Sequence, residues 1–127
     1  MRRSLLLATI LFIGLSPLRA QIGYSETGMA SYYGDGFHGR KTANGELFNK
    51  NAMTAAHRTL PFGTLLRVTH LETQNSVEVR VNDRGPYVND RILDMAQGAA
   101  HKLGITETGV AKVRILVLDQ PVNVLES

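Results

Sequence analysis

The chain has 127 residues, with 14 Lys and Arg, 11 Asp and Glu, and no cysteine. That length suits a single domain, and the missing cysteine excludes a disulfide framework and any thiolate metal site. Three of the basic residues, Arg2, Arg3 and Arg19, fall in the first twenty positions, so residues 21–127 carry eleven charges of each sign; that balance excludes a polybasic nucleic-acid or membrane-surface binder.

Residues 1–20 read as an export signal. Arg2 and Arg3 form the charged start, Leu5 to Leu15 is an apolar run too short to span a bilayer, and Leu18-Arg19-Ala20 ends on a small residue suited to cleavage near Ala20. The expected product is a periplasmic or secreted monomer with no lipid anchor, because there is no Cys to acylate.

Residues 21–27 are polar and read as a leader. Residues 28–33 suit a first strand. Residues 34–51 form a long loop rich in glycine, in which Asn44-Gly45 is a strong turn signal; a loop of that length in a small domain is usually functional or disordered. Residues 52–57 are apolar and short, and periodicity leaves a helical turn and a buried strand equally open. Residues 64–70 and 76–82 read as strands joined by a hairpin. In the second, Val77, Val79 and Val81 share one face while Glu78 and Arg80 share the other. Gly85-Pro86 then ends the ladder, leaving Asn82-Asp83 at the strand's rim. A short strand is expected at 91–93. Asp94 with Gln97 matches a capping box opening a helix that Gly104 would stop. Residues 110–118 alternate as a last strand, with Ala111, Val113, Ile115 and Val117 facing inward, and 119–127 is a tail. Many short strands and Gly-rich turns argue a barrel or a sandwich.

The chemistry-bearing residues are few. His38, His57, His70 and His101 lack metal-ligand spacing, and no phosphate loop or nucleophile elbow is present. No cofactor, metal or nucleic-acid partner is expected. Two acids in turns remain, Glu46 and Asp83, set among Tyr32, Tyr33, Phe37, Phe48 and Tyr87. Carboxylates beside aromatics suit a carbohydrate, because glycosidic cleavage uses an acid and apolar faces bind sugar rings. On these residues alone, two solvated turn acids fit as well.

Several stretches in order then resemble one family: Ala30-Ser-Tyr-Tyr-Gly34, Phe37-His-Gly-Arg40, Thr42-Ala-Asn-Gly-Glu46, Thr54-Ala-Ala-His57, Leu60-Pro-Phe-Gly-Thr64, Val79-Arg-Val-Asn-Asp-Arg-Gly-Pro86, Arg91-Ile-Leu-Asp94 and Gly109-Val-Ala-Lys-Val113. They resemble the rare lipoprotein A family. The resemblance implies an all-β fold, a six-stranded double-psi β-barrel with one short helix over residues 28–118, related to expansin domains and some endoglucanases. It implies a lytic transglycosylase that cleaves the MurNAc–GlcNAc bond of peptide-poor peptidoglycan strands and leaves 1,6-anhydro ends. The alternatives are an expansin-like module that binds glycan without cleaving it, and a hydrolase with a second carboxylate. The family's essential acids fall on Asp83 and Glu46 and its motif histidine on His57. A further family acid falls on Asn49, which carries no charge. On this reading Asp83 is the acid/base, and Glu46 positions the sugar or offsets developing positive charge. His57 would hydrogen-bond an acid, and with Asn49, Tyr33, Phe37, Arg84 and Tyr87 it would line the substrate site.

Overall fold

The computed structural model describes residues 21–121; the expected export signal and the end of the tail lie outside them. Six strands, β1 (Ser25–Tyr32), β2 (Thr54–Ala56), β3 (Leu65–His70), β4 (Ser76–Asp83), β5 (Arg91–Met95) and β6 (Ala111–Asp119), close into a barrel in the order β1-β5-β2-β4-β3-β6. β1 with β5 and β2 with β4 are parallel pairs, and the other contacts around the ring are antiparallel. One helix, α1 (Gln97–Leu103), follows β5. Among the described residues no helix is long and apolar enough to cross a membrane.

Period-two alternation builds the interior. Val79 and Val81 of β4, Leu66 and Val68 of β3, and Val113, Ile115 and Val117 of β6 are buried inside the ring with Ala30, Leu93 and Met95. Each buried Val, Leu, Ile or Met side chain contributes roughly 1.5–3 kcal/mol. Lys112 and Arg114 point out, as their alternation with the valines requires. α1 covers the core with Ala99, Ala100 and Leu103, and stops at Gly104, whose φ of 91° suits glycine and whose N–H bonds the carbonyls of Ala100 and His101. Gly98 lets α1 approach the long loop: a Cβ there would lie 2.8 Å from the Asn51 carbonyl oxygen.

The structure corrects the sequence reading at two places, the start of β1 and Asp94, and sharpens it at two more. β1 begins at Ser25, because Ser25, Glu26 and Thr27 pair with Leu116, Ile115 and Arg114, so part of the polar leader is barrel wall. The apolar stretch 52–57 resolves into a three-residue strand, buried because β4 and β5 flank it on both sides. The long loop contains one 3-10 turn, Asp35–Phe37. Asp94 is not a helix cap: β5 runs on to Met95, the cap position is Ala96 in extended backbone, and no side chain caps it. The ladder prevails because Asp94 sits between two strands, paired with Ser31 on β1 and Ala56 on β2. Gln97, freed from the capping box, donates to the Tyr33 carbonyl (3.1 Å) and to Asp35 (2.9 Å), tying α1 to the loop after β1.

Candidate active site

The site begins with an irregularity in β4. Val81 pairs with Ala55 and Asp83 with Ala56, so Asn82 is an extra residue on β4. A bulge of this kind re-aims the side chains around it. Val81 continues inward, and Arg80, Asn82 and Asp83 meet the turn at residues 42–46.

That turn is closed from within. Thr42 N–H donates to the Glu46 carbonyl (2.8 Å) and Gly45 N–H to the Thr42 carbonyl (3.0 Å). The Asn44 side-chain oxygen accepts from the Thr42 hydroxyl (2.7 Å) and from Glu46 N–H (3.1 Å). Gly45 takes φ of 95°, the left-handed conformation that the Asn-Gly pair signalled.

β4 then holds the turn at two points. Arg80 donates two hydrogen bonds to Glu46, at 2.8 and 3.0 Å, and Asn82 Nδ2 donates a third at 3.2 Å. The forked guanidinium matches the carboxylate in geometry and charge. Arg80 first, then Asn82, hold the Glu46 carboxyl down at about 2, although its side chain is 41% exposed. Asp83 grips the other end of the turn. Its Oδ1 accepts Ala43 N–H (2.8 Å) and Arg84 N–H (2.9 Å), and its Oδ2 accepts the Tyr33 hydroxyl (2.5 Å). Burial, and then the bond to Asp83, push the Tyr33 phenol far above its ordinary range, so it stays a proton-bearing donor. Tyr33 also packs on buried Phe48, ring centroids 4.4 Å apart, and meets Phe37 edge-on at 5.5 Å. Phe37 is exposed, with the Arg40 guanidinium 5.8 Å from its ring.

The remaining candidates divide. Tyr87 stands out from the loop after Asp83, 76% exposed. The His57 imidazole bonds neither the Glu46 nor the Asp83 carboxylate. Its Nδ1 accepts Thr59 and Leu60 N–H, both at 3.1 Å, which leaves the proton on Nε2 for Glu26 at 3.1 Å. Its link to the site is through the backbone, where His57 N–H bonds the Asp83 carbonyl (3.1 Å). Arg84 neither pairs with an acid nor points into water: it donates to the carbonyls of His57 (3.2 Å) and Leu60 (2.8 Å) and stacks over Phe62 at 4.0 Å. Asn49 is exposed and turns on itself, its side-chain oxygen accepting Asn51 N–H (2.9 Å). An Asp would make the same turn.

Sequence reasoning missed Arg80 as the partner of Glu46, Glu26 as the partner of His57, and Arg58. Arg58 clamps the loop that carries Tyr87 by donating to the carbonyls of Pro86 (2.6 Å), Val88 (2.9 Å) and Arg91 (2.6 Å). Arg80 alternates like any solvated strand residue, and nothing local marks Arg58.

A family model described as lytic transglycolase matches residues 25–115. The endolytic peptidoglycan transglycosylase RlpA of Campylobacter jejuni is 52% identical over 102 residues, covering 80% of this chain and 37% of that protein. A probable endolytic peptidoglycan transglycosylase RlpA of Synechocystis is 59% identical over 88 residues, covering 69% of this chain and 27% of its own length. The chain thus spans about a third of these relatives. Among solved structures, a Streptomyces papain inhibitor superposes with a TM-score of 0.63 at 21% identity, over 77% of this chain and 97% of its own. An expansin of Clavibacter michiganensis gives 0.60 at 22% identity, over 79% and 53%. At those identities the likeness is one of fold, the double-psi β-barrel that the family resemblance implied.

Proposed function

The chain belongs to the lytic transglycolase family, and from that premise we propose that it is an endolytic peptidoglycan lytic transglycosylase acting on the MurNAc–GlcNAc bond of peptide-poor strands. The observation that carries this reading is the pair of carboxylates, Glu46 and Asp83, tied to one turn on the outside of the barrel, one paired with a guanidinium and the other with a phenol.

The two acids differ in what they can do. Arg80 and Asn82 hold Glu46 low, so near neutral pH it is ionised and gives no proton; its negative charge offsets the positive charge that develops at the anomeric carbon. Asp83 is the acid/base. In its protonated form it gives the proton to the bridging oxygen as the C1–O bond breaks. The carboxylate left behind takes the proton from the C6 hydroxyl of the same muramic acid ring, and that oxygen bonds to C1. No water is consumed and Asp83 returns protonated, so one acid/base group suffices. Tyr33 fixes the Asp83 carboxyl, while exposed Phe37 and Tyr87 offer faces for the sugar rings. Such a substrate lies outside the cytoplasm, and the reading of residues 1–20 as an export signal would take the chain there.

A second reading is an expansin-like glycan-binding module. It is favoured by the likeness of the barrel to an expansin and by the three hydrogen bonds that already engage Asp83. Incubation with purified peptide-free glycan strands separates the two. Soluble fragments that appear with wild type and not with Asp83→Asn are the expected result; binding without fragments would favour the module.

A further inference from the structure

Four arginines around the site spend N–H groups on the protein itself. Arg58 and Arg84 donate to loop carbonyls, Arg80 to Glu46 and Arg91 to Asp94. Arg40 does not. It is exposed, and among the described residues its guanidinium has neither a hydrogen bond nor an ion pair. It faces the Phe37 ring, 5.8 Å from the centroid. An aromatic ring steadies a cation without consuming its donors, so the five N–H groups of the fork stay available. The backbone beneath is fixed. Arg40 N–H bonds the Phe37 carbonyl (3.0 Å), and its own carbonyl accepts Phe48 N–H (2.7 Å).

Contacts lead from this cation to the proposed acid/base. Phe37 meets Tyr33 edge-on at 5.5 Å, and the Tyr33 hydroxyl bonds Asp83 at 2.5 Å. A peptide-free muramic acid carries a lactyl carboxylate on C3 of the ring whose C1 reacts. Attaching a stem peptide turns that group into a neutral amide. A strand with an anion on every second sugar approaches a site that already holds two carboxylates, Glu46 and Asp83. Arg80 is committed to Glu46, which leaves Arg40 as the guanidinium beside the aromatics that no acid neutralises. Its fork matches a carboxylate in shape and charge.

We propose that Arg40 is a specificity-determining residue, pairing with the lactyl carboxylate of the muramic acid. The proposal rests on the glycan reading above and deepens it, by naming the feature of a peptide-free strand that the site recognises.

The test uses the full chain and two substrates: peptide-free glycan strands, and the same strands with their lactyl carboxylates coupled to methylamine. Wild type is expected to show a kcat/KM about tenfold higher on the acid strands, the worth of a charge-assisted hydrogen bond. Arg40→Gln should treat both alike, at the rate wild type reaches on the methylamide. The ratio of two substrates on one protein does not depend on how much of it folds. A preference retained in Arg40→Gln, or equal losses on both substrates, would mean that Arg40 only supports Phe37, and would overturn the proposal. So would a loss on peptide-bearing strands as large as that on peptide-free ones, which would place the contacted acid on the peptide. If wild type binds strands but cleaves nothing, the transglycosylase reading fails by itself, and the same comparison is made in Kd. About tenfold tighter binding of the acid strands that vanishes in Arg40→Gln would still support the contact; a ratio unchanged by the substitution would overturn it.

Discussion

The two walls of the barrel use their side chains differently. Along β3, β4 and β6 the pairing is antiparallel, and apart from one shift at Leu65 the register runs smoothly. Valine and isoleucine go in, while Lys112, Arg114, Arg67 and Glu78 go out to water. Along β1, β5, β2 and β4 the two inner strands, β5 and β2, are only five and three residues long, two pairs are parallel, and both parallel pairs carry a register shift. There the outward polar groups, among them Ser31, Asp94, Arg80 and Asp83, bond to one another and to the 42–46 turn. The smooth wall makes the barrel. The irregular wall spends ladder regularity on aiming side chains, which is where bulges are commonly found in enzymes.

The contrast predicts that damage to the irregular wall costs activity and damage to the smooth wall costs stability. The largest effect is expected from Asp83→Asn, which keeps the turn chemistry but removes proton transfer. Fragment release from glycan strands should fall about 10²–10⁴-fold, with the melting curve preserved. A melt that collapses along with activity would put Asp83 among the structural residues and blur the distinction between the walls.

Glu46→Gln should reduce turnover less, by about 10²-fold, the low end for loss of a charge-stabilising group, and it has a pH signature. The Glu46 carboxyl is lowered from 4.5 to about 2 by Arg80 and Asn82. A depressed folded-state value stabilises the fold above the unfolded value. The advantage of wild type over Glu46→Gln in acid melts should therefore be full above about pH 4.5 and fade as pH drops towards about 2. A constant difference across that window would show that the Arg80 contact is not what holds the turn.

On the smooth wall, Val113→Ala should cost about 1–3 kcal/mol in denaturant melts by leaving a void in the core, with turnover per folded molecule unchanged. Lys112→Ala, one residue away and outward, should cost under about 0.5 kcal/mol. Equal losses would mean that β6 is phased differently from its burial. The smallest effect is expected from Asn49→Asp. Asn49 bonds only within its own turn and meets neither carboxylate, so restoring a charge there should change neither stability nor cleavage measurably; a clear gain in cleavage would bring residue 49 into the site.

The smooth wall is also the legible one. Period two in 64–70, 76–82 and 110–118 is a local signal, and three long strands of that kind with Gly-rich turns already argue a barrel or sandwich. β2 has no such signal, since three buried residues display no period. Asp94 carries a misleading one: its spacing to Gln97 fits a capping box, yet its ladder partners Ser31 and Ala56 lie 63 and 38 positions away in the chain. The site follows the same division. Glu46 and Asp83 stand out as acids in turns among aromatics, and the Asn-Gly turn between them is readable. Their anchors are not, because Arg80 meets Glu46 across 34 positions and Tyr33 meets Asp83 across 50. Long-range pairing creates those contacts, and no window of sequence contains them. His57 illustrates the limit from the other side: its motif pointed to an acid, and the acid is Glu26 on β1, inside the stretch that composition assigned to a leader.

The most direct test of the account is the mass of the new chain ends released from peptide-free glycan strands. Attack by the ring's own C6 hydroxyl, with Asp83 moving the only proton, predicts 1,6-anhydro muramic acid at every cleaved end. Ends heavier by one water would mean that a water molecule attacks instead, with a second carboxylate acting as base, and would contradict the single acid/base assigned to Asp83.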